Sequence, residues 1–167
     1  MGHHHKREEG EPVSVAVVTI SSTRSLKDDP SGDLIENKIE SAGHAVTTRE
    51  LIPDDHDRIQ GLFDRLVGRD DVMIVISTGG TGITPDDVTI EAVSPLLEKD
   101  IPGFGEHFRR LSFESVGTRA LASRAAAGVA DGVPVFCLPG SKDAVSLGME
   151  ELILPEADHL VQMATRE

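Results

Sequence analysis

The chain has 167 residues, of which 38% are hydrophobic, and this is enough for one domain with a buried core. Its net charge of −13 disfavours binding to a nucleic-acid backbone, and the absence of Trp and Tyr disfavours a surface on which bases stack. No apolar run approaches the length needed to cross a membrane, so we expect no membrane contact.

The N-terminus and the single cysteine indicate where the protein works. Residues 1–12 are polar and lack the apolar segment of a signal peptide, so we predict a disordered tail there, followed by one domain over 13–167. Cys137 has no partner for an intrachain disulfide. We therefore expect a cytoplasmic protein, whose excess of acids is either an adaptation to high salt or an ordinary acidic surface.

The first half of the domain alternates strands with helices. A β-branched run predicts a buried strand over 13–20, and a loop then leads to a helix over 33–43. A second strand is predicted over 44–52 and a helix over 54–70, with its apolar residues on one face. The apolar run at 72–77 predicts the third strand.

The second half begins with a glycine-rich loop and continues the alternation. We predict a helix over 87–100, a loop and helix over 101–117, and a short helix over 118–128. A fourth strand falls within 133–140, and one or two helices close the chain over 141–164. This order predicts an α/β three-layer sandwich, with a mostly parallel sheet and helices on both faces.

Each predicted strand is followed by a polar or glycine-bearing loop. The loops are SSTRS (21–25), IPDD (52–55), STGGTGITPDD (77–87) and LPGSKD (138–143). Ligands of such sheets bind outside the carboxyl ends of the strands. We therefore expect the four loops to meet at one edge and to form a binding site.

The glycine loop has two interpretations. Gly79, Gly80 and Gly82 could present backbone N–H groups to a phosphate, with Thr78 and Thr81 as additional hydroxyl donors. Alternatively, the glycines could serve only a tight connection between strand and helix. The spacing matches neither the dinucleotide fingerprint nor the Walker motif.

Two acidic pairs favour a metal and phosphate site. Asp86 and Asp87 end the glycine loop, and Asp54 and Asp55 follow the second strand. Mg²⁺ takes one or two carboxylates and shares phosphate oxygens, so an acid beside a phosphate cradle indicates such an ion. The alternative is that these acids only cap turns and helices.

Further candidates lie in the later loops. Gly140 and Ser141 could bind an anion at the start of the last helical segment, or Ser141 could simply cap it. Glu106 could contact a ligand or be a surface or oligomer residue, and Ser123 and Arg124 could bind a phosphate or form the solvated end of a helix. Cys137 is expected to pack as a small apolar residue rather than to act as a nucleophile.

Three motifs together resemble one known family. STGGTGITPDDVT, IPGFGEHFR and LPGSKDAV, at these spacings, are similar to the MoaB/Mog family of molybdenum cofactor biosynthesis proteins, the molybdopterin adenylyltransferases. The segments DDPSGDLI and LIPDD extend the resemblance to nearly everything after the tail. The glycine motif alone would be shared with CinA-type domains.

The resemblance implies a reaction and an assembly. Mg²⁺-ATP and molybdopterin would give adenylated molybdopterin and pyrophosphate, in a homo-oligomer that is a trimer or a pair of trimers. Asp54 and Asp87 match acids important for catalysis, and both are candidate Mg²⁺ ligands. The candidate nucleotide- and substrate-binding residues are Ser31, Thr78, Gly79, Gly80, Thr81, Gly82, Glu106, Ser123, Arg124, Pro139, Gly140 and Ser141.

Three other functions remain open from the sequence. The chain could carry molybdopterin without turnover, or it could be a CinA-like nucleotide hydrolase. The hydrolase loop commonly reads Gly-Gly-Leu-Gly, and Thr81 departs from that pattern. A purely structural oligomer, with FRRLSF (108–113) as its contact surface, would leave the polar loops unexplained.

Overall fold

The structure, a computed structural model, describes residues 7–165 and contains one sheet. Its strands are β1 (Ser14–Ile20), β2 (Ala45–Ile52), β3 (Ile74–Thr78), β4 (Lys99–Asp100), β5 (Ala126–Ala130) and β6 (Val133–Leu138). Their order across the sheet is β2-β1-β3-β6-β5-β4. The pairs β2–β1, β1–β3 and β3–β6 are parallel, whereas β6–β5 and β5–β4 are antiparallel.

Helices connect most of these strands. They are α1 (Pro30–Ser41), α2 (His56–Val67), α3 (Thr89–Val93), α4 (Pro102–Val116), α5 (Lys142–Gly148) and α6 (Leu154–Ala164). Short 3₁₀ helices cover Ser94–Leu96 and Gly117–Ala122, and a π-helical turn, Met149–Ile153, joins α5 to α6. None of the helices within 7–165 combines the length and the apolar character that a membrane span requires.

The sheet has a hydrophobic core on each face, because successive strand residues point to opposite sides. On one face Val15 and Val17 of β1 pack with α1, α4, α5 and α6. On the other face Ala16 and Val18 pack with α2 and α3. The predicted three-layer α/β fold with a mostly parallel sheet is therefore confirmed.

The prediction of a helix over 118–128 is wrong for the second half of that segment. Residues 117–122 form a 3₁₀ helix, but Ala126–Ala130 form β5 and pair with β6. Asp131 and Gly132, with φ of 49° and 75°, make the two-residue turn between the strands. Helix propensity of the alanines is overridden by this hairpin, because pairing in the sheet buries β5.

The predicted helix over 87–100 is also shorter than expected. Helix α3 ends at Val93, and a 3₁₀ turn that contains Pro95 follows over Ser94–Leu96. Lys99–Asp100 then form the edge strand β4. No loop precedes α4, which starts directly at Pro102. Proline is well suited to the first turn of a helix but disfavours a helical conformation in the residue before it, so Pro95 and Pro102 mark these boundaries.

The segment before β1 lies partly outside the described residues. The predicted tail over 1–12 includes residues 1–6, which are among those not described. Within the described part, Arg7 forms an ion pair with Asp158 of α6. The backbone N–H of Gly10 donates to the same carboxylate at 3.3 Å. Residues 7–10 therefore lie against the last helix.

Candidate active site

The carboxyl ends of β1, β3 and β6 surround a cleft of about 330 Å³. The residues that line it and were predicted from the sequence are Ser31, Thr78, Gly79, Gly140 and Ser141. Thr19 and Ile20, at the end of β1, were not predicted, and Ser21 and Arg24 were predicted only as part of the SSTRS loop (21–25) and not individually. Three of the four strand-exit loops therefore meet here, as the topology requires.

The glycine loop begins with two residues in left-handed backbone conformations. Gly79 has φ of 104° and Gly80 has φ of 73°, and a Cβ on Gly79 would overlap the carbonyl oxygen of Ile20. The Gly79 N–H donates to Leu138 O at 2.9 Å. The N–H groups of Gly80, Thr81 and Gly82 have no acceptor among the residues that the structure describes. The loop is thus a tight turn that also leaves donors for an anion.

Asp54 faces this loop. A Cβ built on Gly80 would lie 3.4 Å from Asp54 Oδ1, so the carboxylate and the glycine are neighbours. Ser22 Oγ donates to Asp54 Oδ2 at 2.8 Å and accepts the Asp54 N–H at 3.1 Å, which fixes the orientation of the carboxylate. Ser22 was not predicted individually, although the polar SSTRS loop that contains it was.

Asp87 lies beside the other end of the glycine loop. A Cβ on Gly82 would be 2.6 Å from Asp87 Oδ2. The same oxygen accepts from Thr84 N at 2.9 Å and from Thr84 Oγ1 at 2.8 Å. One carboxylate oxygen therefore closes the turn over 84–87, and Oδ1 is left for another partner.

Asp55, the neighbour of Asp54, caps a helix. Its Oδ1 accepts from Arg58 N at 3.0 Å at the start of α2. The two adjacent acids thus have separate roles, one local to α2 and one facing Gly80. Sequence alone left both interpretations open for the pair.

Arg124 holds the glycine loop rather than facing the cleft. Its backbone N–H donates to Thr81 O at 3.1 Å, and its guanidinium donates to Gly82 O at 2.8 Å and to Asp87 O at 3.2 Å. It also pairs with Glu91, and this hydrogen bond lowers the pKa of the Glu91 carboxyl below its usual value. The predicted Arg124 is therefore beside the site, with its donors directed at the loop.

Ser123 and Glu106 lie on the same side of the molecule as Arg124. Ser123 Oγ is buried and has no hydrogen-bond partner among the described residues. Glu106 is exposed in the first turns of α4 and is not part of the cleft lining. A Cβ on its neighbour Gly105 would be 2.8 Å from Ala125 O, so this turn packs closely against the loop that carries Ser123.

A buried carboxylate supports the wall of the cleft and was missed in the sequence. Asp29 is completely buried at the N-cap of α1 and accepts from Thr19 Oγ1 at 2.6 Å and from Gly32 N at 3.1 Å. It forms an ion pair with Arg49 Nη2 at 3.0 Å. Although burial lowers the pKa of Arg49, hydrogen bonds to Asp29, Asp33 and Glu36 raise it above its usual value.

Cys137 is unsuited to nucleophilic chemistry. It is buried in β6, and burial raises the pKa of its thiol to about 11. The reactive thiolate is therefore scarce near neutral pH. Its position in the core agrees with the packing role expected from the sequence.

The acids at the glycine loop are compatible with Mg²⁺ shared with a polyphosphate. Within 7–165 there is no group of three or more His, Cys, Asp or Glu side chains that could enclose a metal ion. Mg²⁺ needs only one or two carboxylates when phosphates and waters complete its shell. Asp54 and Asp87, at Gly80 and Gly82 respectively, provide such carboxylates.

The fold and loops define an α/β protein whose cleft lies at the carboxyl edge of the parallel strands. Residues 16–159 match the family model described as a probable molybdopterin binding domain. Molybdenum cofactor biosynthesis protein B of Bacillus anthracis is 47% identical over 157 residues, 93% of each sequence. A solved structure of a molybdenum cofactor biosynthesis protein B has a TM-score of 0.91 at 46% identity, covering 93% of this chain and 98% of that one.

A second solved structure comes from a relative of lower sequence identity. The tungsten cofactor synthesizing protein MoaB from Pyrococcus furiosus has a TM-score of 0.85 at 34% identity, covering 93% of this chain and 99% of that one. With the family match over 16–159, these similarities confirm the resemblance found in the motifs. The chain belongs to the MoaB/Mog family of molybdenum cofactor biosynthesis proteins.

Proposed function

We propose that the protein transfers the adenylyl group of ATP to the terminal phosphate of molybdopterin, releasing pyrophosphate. The observation that carries this proposal is the proximity of Asp54 to Gly80, in a glycine loop where the N–H groups of Gly80, Thr81 and Gly82 lack acceptors among the described residues. A carboxylate next to free backbone donors is the combination needed to hold a polyphosphate together with a divalent cation. The family match, described as a probable molybdopterin binding domain, supports molybdopterin as one substrate, and ATP as the other is part of the proposal.

In this proposal the chain acts by positioning and by charge. The N–H groups of Gly80, Thr81 and Gly82 hold phosphate oxygens, and Asp54 and Asp87 are the residues that would hold Mg²⁺. When bound there, the ion would neutralise charge on the phosphates. Ser22 keeps the Asp54 carboxylate in place, and Arg124 keeps the backbone of the loop in place.

The transfer itself needs little from side chains. A phosphate oxygen of the pterin substrate forms a bond to the α-phosphorus of ATP, and the bond from that phosphorus to the pyrophosphate oxygen breaks. The attacking oxygen is already anionic, so a general base is not required. Holding both substrates in line then provides most of the rate enhancement.

The direct test is pyrophosphate release by the purified protein with ATP, Mg²⁺ and molybdopterin. We expect release that requires all three additions and gives one pyrophosphate for each adenylated molybdopterin formed. Binding of molybdopterin without any pyrophosphate would refute the proposed reaction. That result would instead support a carrier.

The carrier is the second candidate, and the contacts of Asp87 favour it. Because Asp87 Oδ2 already accepts two hydrogen bonds from Thr84, this acid can be explained as a turn closure without any metal. A carrier would bind molybdopterin equally well with and without ATP. The pyrophosphate assay separates the two functions.

We further propose that the protein is a homo-oligomer, a trimer or a pair of trimers. Three large apolar side chains are exposed where α4 meets the following 3₁₀ helix: Phe113 (55%), Val116 (49%) and Leu121 (83%). Exposed apolar side chains grouped in this way are typical of contact surfaces. Phe113 is also the last residue of FRRLSF (108–113), the contact surface considered in the sequence for a purely structural oligomer.

A further inference from the structure

The cleft and the molecule have charges of opposite sign. The chain carries a net charge of −13, yet among the described residues the cleft lining contains the cation Arg24 and no carboxylate. Asp29 touches the lining residue Thr19, but its charge is neutralised by Arg49 inside the protein. The cleft is therefore a locally favourable place for an anion on an acidic protein.

The guanidinium of Arg24 is available to a ligand. It forms no ion pair with a carboxylate of residues 7–165, whereas Arg49, Arg69 and Arg124 are each paired. Hydrogen bonds inside the loop stabilise the turn that carries Arg24. Ser21 Oγ accepts a hydrogen bond from the Thr23 N–H at 3.3 Å and one from the Arg24 N–H at 3.1 Å. An unpaired arginine on a turn fixed in this way can bind an anion without first breaking an ion pair.

Two hydroxyl groups of the cleft already donate hydrogen bonds to backbone carbonyls of its walls. Ser31 Oγ donates to Gly140 O at 2.7 Å, and Thr78 Oγ1 donates to Pro139 O at 2.8 Å. These hydroxyls join the loops to one another and cannot donate the same hydrogen to a ligand. Arg24 is therefore the strongest donor that faces the cleft, and its planar fork matches the oxygens of a phosphate group.

The two candidate metal ligands adjoin different glycines from the one that lines the cleft. Asp54 adjoins Gly80 and Asp87 adjoins Gly82, and neither acid lines the cleft, which is bounded by Gly79. The acids beside Gly80 and Gly82 suit a metal-bound polyphosphate, whereas the cleft, with a cation and no carboxylate in its lining, suits a phosphate that carries no metal.

We propose that Arg24 binds the terminal phosphate of a phosphate monoester in this cleft, and that this group belongs to the pterin substrate. The identity of the substrate depends on the function proposed above, whereas the anion site itself depends only on the geometry of the cleft. Arg24 is thereby a binding residue that separates the acceptor phosphate from the phosphates of the nucleotide.

The anion site is tested with inorganic phosphate at constant ionic strength. The titration follows the thermal stabilisation of the parent protein and of Arg24→Gln, Arg24→Lys and Lys27→Gln. Lys27 is an exposed cation of the same loop that does not line the cleft, so its variant removes an equal charge without removing the contact. We expect phosphate to bind about 10- to 100-fold more weakly to Arg24→Gln, with Arg24→Lys intermediate and Lys27→Gln close to parent. Equal weakening by Arg24→Gln and Lys27→Gln would overturn the proposal.

The source of the phosphate is tested by kinetics of pyrophosphate release. We expect Arg24→Gln to raise KM for molybdopterin and to leave KM for ATP unchanged. A raised KM for ATP alone would refute the assignment to the pterin. If the parent releases no pyrophosphate at all, the proposed reaction fails, and the phosphate titration still decides whether Arg24 binds an anion.

Discussion

At the scale of single residues, the glycine turn depends on the absence of one side chain. Gly79 and Gly43 both have positive φ, of 104° and 84°, but a Cβ on Gly79 would overlap Ile20 O, whereas a Cβ on Gly43 would have nothing within 4 Å. Gly43→Ala therefore measures backbone strain alone, about 1–2 kcal/mol. We expect Gly79→Ala to lower the free energy of unfolding by clearly more than Gly43→Ala in denaturant titrations. Equal losses would mean that the turn tolerates a side chain.

The two acids at the sheet edge provide a matched pair of variants. Asp54 faces Gly80, while the adjacent Asp55 caps α2. We expect Asp54→Asn to slow pyrophosphate release by at least about 100-fold, because a neutral amide is a poor Mg²⁺ ligand. Asp55→Asn should keep near-parent activity and stability, since Asn is also a good N-cap. Similar activity in both variants would remove Asp54 from the mechanism.

Sequence reasoning located the main residues of the site but did not resolve their roles. Asp54 and the glycine loop were placed at one edge because parallel strands end there together, and the structure places them next to each other. Arg124 was chosen as a ligand residue, yet its donors hold loop carbonyls. Asp29 was missed because its role depends on Arg49, which lies in β2, 20 residues further along the chain.

At the scale of elements, the buried ion pair of Asp29 and Arg49 joins α1 to β2. Asp29 is fully buried, so removal of Arg49 leaves a charge without its counter-ion. We expect Arg49→Met to lower the free energy of unfolding by about 3 kcal/mol. Arg69→Met is the control, because Arg69 pairs with Asp71 at the surface and such pairs contribute at most about 1 kcal/mol. A loss below that of the control would show that Asp29 is stabilised by its other hydrogen bonds alone.

The elements that were predicted well are those with a strong local pattern. Strands β1 and β3 are continuous apolar runs and α2 has one apolar face, so each could be read from its own residues. Strand β5 could not, because AAAGVA has high helix propensity and its strand conformation comes from pairing with β6. The Asp131–Gly132 dipeptide was the available hairpin signal.

At the scale of the whole molecule, Cys137 reports on global unfolding. The thiol is buried in β6 and its pKa is raised to about 11 by burial, so both access and thiolate formation are suppressed in the folded protein. We expect no reaction with a disulfide reagent at pH about 8 under native conditions, and complete reaction of one thiol after unfolding. Rapid labelling of the native protein would contradict the described core.

The proposed oligomer is tested at its exposed apolar group. Leu121 is 83% exposed, so Leu121→Glu should not disturb the fold of one subunit. We expect this substitution to convert the oligomer to a smaller species in light scattering, because a carboxylate would be buried at the contact. Exposed Leu26, which is 52% exposed and lies in the loop after β1, serves as the control in Leu26→Glu. An unchanged mass for Leu121→Glu would place the contact elsewhere.

The central claim is that the glycine loop and Asp54 jointly hold a nucleotide through Mg²⁺, and a titration of ATP with and without Mg²⁺ tests it most directly. The account predicts that Mg²⁺ strengthens ATP binding to the parent protein and to Asp55→Asn by at least about 10-fold, equivalent to about 1.4 kcal/mol. In Asp54→Asn this gain should be lost. The same affinity for ATP in all three proteins, whether or not Mg²⁺ is present, would contradict the account.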